Sequence, residues 1–151
     1  MPATAFDAAV KLLKGRAKSR ARLERDLLKR GYETAEVESA LQKASQLGYL
    51  SDRVYAEAKA QAGFTLGRSP ADILQRLEKD GVARSLAEQV IGQTGRDLGY
   101  DEERVARELI LKRKLTGLKA VQVLGRRGFS EATIERLVPD FSHFTGFDAE
   151  E

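Results

Sequence analysis

The sequence predicts an all-α chain, an elongated tandem array of three three-helix, helix-turn-helix-like repeats. Two observations carry this expectation. Three prolines and thirteen glycines among 151 residues leave room for long uninterrupted helices. A fourteen-residue pattern also occurs three times, as "SRARLERDLLKRGY", "SPADILQRLEKDGV" and "TGLKAVQVLGRRGF", with starts 50 and 47 residues apart.

Each copy opens on a hydroxyl residue (Ser19, Ser69, Thr116). An apolar residue follows at +4 (Leu23, Ile73, Ala120), a leucine at +8 (Leu27, Leu77, Leu124) and a glycine at +12 (Gly31, Gly81, Gly128). The hydroxyl accepts a hydrogen bond from the free amides of the first turn, and the +4 and +8 residues form one buried stripe. The glycine stops the helix in a left-handed conformation that side chains resist. Pro70 sits directly after Ser69, where a proline removes no helical hydrogen bond.

A helix is expected before each of these and another after each stop. The leading helices run over 6–14, with Phe6, Val10 and Leu13 in phase; over 52–64, with Tyr55, Ala58 and Ala62; and over 102–115, with Val105, Leu109 and Leu111. Of the closing helices, the first follows Thr34 and buries Val37, Ala40, Leu41 and Leu47. The second opens on a capping box of Ser85 and Glu88 before Leu86, Val90 and Ile91. The third follows Ser130 and buries Ile134, Leu137 and Val138. Gly-Tyr at 48–49 and 99–100 punctuates the junctions, each followed by an acid, Asp52 or Asp101, able to cap the next helix. Nine helices result, in a single elongated domain over 1–151: repeat one 5–50, repeat two 51–99, repeat three 100–139, and an acidic, frayed tail 140–151. A unit of about 45 residues barely buries a core alone, so stacking is required. At about two helix diameters of ~10 Å per unit, the array would be on the order of 60 Å long.

Composition narrows the function. With no cysteine, disulfides, thiol catalysis and thiolate metal sites are all excluded, and a reducing compartment fits best. No stretch approaches the roughly 18 apolar residues of a membrane span, and the N-terminus lacks a signal pattern, so a cytoplasmic location is expected. Phosphate-binding glycine loops are missing, no serine has a plausible base, and the one histidine, His143, stands without companion ligands. The acids at 101–103 belong to a first helical turn, where the helix dipole favours negative charge. The expectation is a binding protein with no cofactor, no metal and no catalytic residues.

Net charge is only +3, but it is unevenly spread. From Lys11 to Arg30 nine basic residues face two acids, and from Arg104 to Arg127 eight face one, so each block carries +7. Two such blocks suggest an acidic or polyanionic partner. The candidate contact residues are Arg16, Lys18, Arg20, Arg22, Arg25, Lys29 and Arg30 in the first block, with Lys112, Arg113, Lys114, Lys119, Arg126 and Arg127 in the second. Solvation and capping of helix C-termini by cations is the competing explanation for any one of them. Reading of a DNA groove by the last helix of a unit is disfavoured, because Glu36 and Glu38, or Glu131 and Glu135, would face phosphates. Few aromatic residues lie in the basic blocks, which leaves little platform for stacking bases of a single strand.

The run "SRARLERDLLKRGYETAEVESALQKASQLGYLSDRVYAEA" resembles the signature of the RecX family: a Ser-x-x-x-Leu helix, a Gly-Tyr turn, then Gly-Tyr-Leu-x-Asp opening the next helix with an aromatic residue, here Tyr55, three positions on. "GRSPADILQRLEKDGV" is similar to the family's second element, and the resemblance covers roughly 5–139. Ser69 stands where the family commonly has glycine, "AQAGFTLGR" is less basic than usual, and Ala120 replaces a larger aliphatic residue. The resemblance implies tandem three-helix repeats and a protein that binds the RecA recombinase as a filament on single-stranded DNA. It further implies limitation of recombinase, ATPase and coprotease activity, and so regulation of recombination and the SOS response; a monomer, with weak direct DNA binding besides, is expected. A DNA-binding repeat protein acting through the basic blocks without RecA is the alternative; a helical scaffold and an enzyme rank lower.

Overall fold

The computed structural model describes residues 3–144 and is helical, with no strand among the described residues. In chain order the helices are α1 (Ala5–Gly15), α2 (Arg20–Lys29), α3 (Thr34–Gln46), α4 (Asp52–Thr65) and α5 (Pro70–Lys79). They continue with α6 (Arg84–Leu98), α7 (Glu102–Arg113), α8 (Gly117–Arg126), α9 (Glu131–Leu137) and α10 (Phe141–Phe144). The three-helix repeats are therefore α1–α3, α4–α6 and α7–α9. The four residues of α10 fold where the sequence predicts a frayed tail; the acids Asp148, Glu150 and Glu151 lie outside the described residues.

The buried stripe and the glycine stop of all three middle helices are built as their pattern predicts. Leu23, Leu27, Ile73, Leu77, Ala120 and Leu124 are buried, and Gly31, Gly81 and Gly128 take φ of 95°, 88° and 87°. The residue after each glycine returns its amide to the leucine carbonyl five residues back: Tyr32 to Leu27, Val82 to Leu77 and Phe129 to Leu124. These bonds satisfy carbonyls that the helix end would otherwise leave free.

The chain divides into two compact units that cut across the second repeat. One holds residues up to Ala60 together with Leu74–Ile91, the other Gln61–Ile73 and the chain from Gly92. In the first unit, α1 opens on a capping box in which Thr4 and Asp7 bond each other's backbone amides, and α1, α2 and α3 enclose a core of Ala5, Ala8, Ala9, Leu23, Leu27, Val37, Ala40, Leu41, Ala44 and Leu50. Phe6 lies beside this core under the ammonium of Lys43, 4.3 Å from the ring centre. The same unit buries Tyr55, Ala56, Ala60, Leu77, Val82, Ala87, Val90 and Ile91. In the second unit α7 packs on α9, and α8 on α9 and α10, around Ala106, Leu115, Ala120, Val123, Leu124, Phe129, Ile134 and Val138. Phe64 stacks on Tyr100 there, ring centres 4.8 Å apart, and the Tyr100 hydroxyl is buried with no hydrogen-bond partner among the described residues. Burial, then the nearby acids Glu102 and Asp101, push its pKa up.

Several local expectations are corrected. The phase of α4 buries Ala56 and Ala60, leaving Ala58 and Ala62 exposed, and α7 buries Ala106 while Leu111 is 71 % exposed. Both helices are rich in small or charged residues, so their apolar pattern has little contrast. Leu47 lies past the end of α3, exposed. Glu33, not Thr34, is the N-cap of α3, and its side chain makes no capping bond. Ser85 falls inside the first turn of α6, and Glu88 pairs with Arg84 instead of closing a box. Thr116 is the N-cap of α8, but its side chain bonds no amide. Ser51 caps α4 through the amide of Val54, which frees Asp52 to reach across and accept the first amide of α2, from Arg20, at 2.8 Å. Asp101 does cap α7, through the amide of Arg104.

Candidate partner-binding surface

The geometry around the first basic block begins with Ser19, the N-cap of α2. Its hydroxyl accepts from the amide of Arg22 and donates to the carbonyl of Asp80, the residue before Gly81. The Asp80 carboxylate in turn accepts the Tyr55 hydroxyl at 2.6 Å and pairs with the Arg22 guanidinium at 3.4 Å. Burial first, then the bond to Asp80 and its charge, push the Tyr55 pKa up to about 12, against the smaller opposing pull of Arg22 and Arg16.

Seen from this joint, the first block is not uniform. Lys18 pairs with Asp26 at 2.8 Å, Arg20 with Glu38 at 3.4 Å, and Arg22 with Asp80. Arg16, Arg25, Lys29 and Arg30 are exposed and have no carboxylate within 4 Å among the described residues. Positions 22, 25 and 29 share one face of α2 by helical periodicity, on the side away from Leu23 and Leu27. That face carries the unpaired Arg25 and Lys29 beside the paired Arg22, while Arg16 and Arg30 lie beyond the two ends of α2.

The second block lies in the other unit. Lys112 and Arg113 end α7, Lys114 is its left-handed C-cap at φ 53°, and Lys119 and Arg126 lie seven residues apart on α8. These five are exposed; Arg127, the C-cap of α8, is half-buried, and its carbonyl accepts the Ser69 hydroxyl. The acids at 101–103 are engaged structurally. Asp101 caps α7, Glu102 accepts the Ser130 amide at 2.7 Å, and Glu103 pairs with Arg107 and Arg136. Each unit thus exposes one cluster of cations whose long stems carry charge well into solvent.

One feature escapes the sequence pattern. A groove of about 140 Å³ in the first unit is lined by Leu13, Ala17, Lys18, Gly48, Tyr49, Ser51, Val54 and Tyr55. The Gly-Tyr-Leu punctuation at 48–50 is the sequence signal nearest to it. Among the described residues no group of three or more histidine and acidic side chains is placed to share a metal ion, and no helix is long and apolar enough to cross a membrane.

The comparisons with known proteins agree with this architecture. Residues 5–43 match the family model "RecX, first three-helix domain". The chain is 29% identical over 133 residues to the regulatory protein RecX of Vibrio parahaemolyticus, covering 82% of this chain and 83% of that one. It is 34% identical over 89 residues to that of Legionella pneumophila, covering 59% of each, and 27% identical over 146 residues to that of Chlorobaculum tepidum, covering 89% and 86%. All three relatives are named as regulatory proteins, not as enzymes. Two crystal structures share the fold. A regulatory protein RecX superposes with a TM-score of 0.75 at 20% identity over 88% of this chain and 70% of that one, and RecX from Lactobacillus salivarius with 0.68 at 18% over 93% and 94%. Over most of its length the chain is thus similar in sequence to RecX regulatory proteins and shares their fold, and its first three-helix unit matches the RecX family's own domain model.

Proposed function

We propose that this chain binds RecA recombinase filaments on single-stranded DNA and restrains their recombinase, ATPase and coprotease activities, and through them recombination and the SOS response. It acts as a cytoplasmic monomer, by binding alone and without a cofactor. The observation that carries the reading is the pair of solvent-facing cation clusters, Arg16, Arg25, Lys29 and Arg30 on one unit and Lys112, Arg113, Lys114, Lys119 and Arg126 on the other, held on a RecX-like scaffold. Cations left unpaired by their own chain are available to an acidic protein surface or to exposed phosphate. Lys18, Arg20, Arg22 and Arg127 take supporting roles at the edges of the clusters.

The same exposed cations favour a second reading, binding to DNA alone, which predicts strong salt dependence. One experiment separates the two. ATP hydrolysis by RecA on single-stranded DNA is followed while this protein is titrated in, with its affinity for bare DNA measured in the same buffer. A fall in rate at concentrations too low to cover the DNA supports regulation of the filament. A fall only at DNA saturation leaves competition for the strand, and no fall removes the RecA reading.

A further inference from the structure

Two joints in this chain use the same parts. In the first unit the fully buried Ser19 donates to the carbonyl of Asp80, and Ala21, two residues after the serine, lies so close to Gly81 that a Cβ there would collide with it. In the second unit Ser69 donates to the carbonyl of Arg127, and the position of a Cβ on Gly128 is 3.3 Å from both the Ala71 methyl and the Asp72 amide. Each joint thus presses the start of one helix, Ser-x-Ala, onto the glycine stop of another. Charges follow suit: the residue three after the serine and the residue before the glycine are opposite in sign, Arg22 with Asp80 in one joint and Asp72 with Arg127 in the other.

The third glycine stop has the same construction, and among the described residues no helix start is pressed against it; the hydroxyl of the following Tyr32 donates to the carbonyl of Ala3. Gly31 has φ 95°, Tyr32 closes the turn on Leu27, and no atom of another element lies within 4 Å of where a Cβ would stand. The residue before it is Arg30, exposed and without a carboxylate partner among the described residues, beside Leu28, an exposed leucine at the position held by Glu78 and Gly125 in the other two stops. Among the described helix starts none combines a free hydroxyl, a small residue at +2 and an acid at +3: Ser130 is followed by Ala132 but has Thr133 at +3, and its hydroxyl donates to that of Thr133. Ser19 and Ser69 are used in their own joints, while Thr116 is followed at +2 by Leu118 instead of alanine, and the ring of Phe144 covers Gly117.

We infer that the Gly31 stop is a docking socket for the N-terminus of a helix from another protein, one that begins Ser or Thr, any residue, Ala or Gly, then Asp or Glu. The partner's hydroxyl donates to the Arg30 carbonyl, its small residue permits the close approach made by Ala21 and Ala71, and its carboxylate faces the Arg30 guanidinium. The two helix dipoles then meet head to tail, which is favourable in itself. This inference stands apart from the RecA reading, since it specifies the partner by its helix start alone.

The test titrates isotope-labelled full-length chain with a hydrocarbon-stapled helical peptide that starts Ser-Pro-Ala-Asp and continues in alanine, glutamate and lysine, following amide NMR signals. The expected result is a shift confined to Arg30, Gly31 and Tyr32, with affinity falling about threefold, the scale of an exposed ion pair, when the peptide's Asp is replaced by Arg. In Arg30→Asp, an exposed substitution, the preference between the two peptides should reverse, as the Arg22–Asp80 joint implies. Shifts centred elsewhere, no shift up to about 1 mM peptide, or equal affinity of both peptides for both proteins would each overturn the proposal.

Discussion

The hydroxyl of Ser19 donates to the carbonyl oxygen of Asp80, 61 residues further along the chain, while accepting the amide of Arg22 in its own helix. One side chain therefore caps α2 and satisfies the end of α5. Ser69 does the same for α5 and the end of α8. Removing either hydroxyl loses an N-cap, about 1 kcal/mol, and strands a carbonyl at a buried joint, about 1–3 kcal/mol. Ser19→Ala and Ser69→Ala should each lower stability by about 2–3 kcal/mol in urea unfolding. Thr116→Ala, at an exposed residue whose side chain makes no capping bond, should change it by less than about 0.5 kcal/mol.

The glycine stops should separate in the same way. Alanine at Gly31 meets open space and pays only for the left-handed backbone, about 1–2 kcal/mol. Alanine at Gly81 meets the same backbone cost and also strikes Ala21, so it should destabilise distinctly more. A double-mutant cycle with Ala21→Gly checks the cause: the second change should return part of the loss in Gly81→Ala and none in Gly31→Ala.

High pH should reveal Tyr55. Its pKa is about 12 in the folded chain against an ordinary value of 10, so below pH 10 both states keep the proton and the contribution is fully present. Between pH 10 and 12 the unfolded tyrosine ionises while the folded one holds its proton, and stability falls as pH rises. In Tyr55→Phe that part of the fall should vanish; the rest, to which Tyr100 contributes, should persist. Urea midpoints measured at pH 9, 10 and 11 provide the comparison, and an unchanged slope in the variant would refute the assignment.

Cations within the first block should behave differently under charge reversal. Arg25→Glu with Lys29→Glu alters exposed residues lacking partners and should shift stability by less than about 0.5 kcal/mol. On the proposed RecA reading, its effect is expected in the concentration of this protein needed to slow RecA ATPase, which should rise severalfold. Arg22→Glu sets a carboxylate against Asp80 and should cost about 1 kcal/mol of stability, visible in the urea midpoint before any partner is added.

Much of this was legible in the sequence because it is local. A hydroxyl at the start, leucine at +8 and glycine at +12 act within a few turns of one helix, so Ser19, Ser69 and the three glycine stops stand where their pattern puts them. The cation clusters were legible as composition. Where local signals were weak they misled: Ser85 and Thr34 are good capping residues that fall one or two places inside their helices, and alanine-rich α4 conceals which alanines face inward. The division of the first block into paired and unpaired cations was hidden, since Asp80 and Glu38, which neutralise Arg22 and Arg20, are 58 and 18 residues distant.

By itself, then, the sequence determined helices α1 to α9, their stops and the threefold repeat, consequences of hydrogen bonding and burial within about a dozen neighbouring residues, and the sign of the surfaces, which charged composition sets. Tertiary structure alone decided that the Asp52 carboxylate caps α2 instead of its own helix, that Asp80 serves Ser19, Tyr55 and Arg22 at once, and that Gly81 and Gly128 are covered while Gly31 stands open. Those outcomes depend on which helix end meets which, and a carboxylate or a carbonyl carries no mark of its distant partner until the fold brings the two within hydrogen-bonding reach.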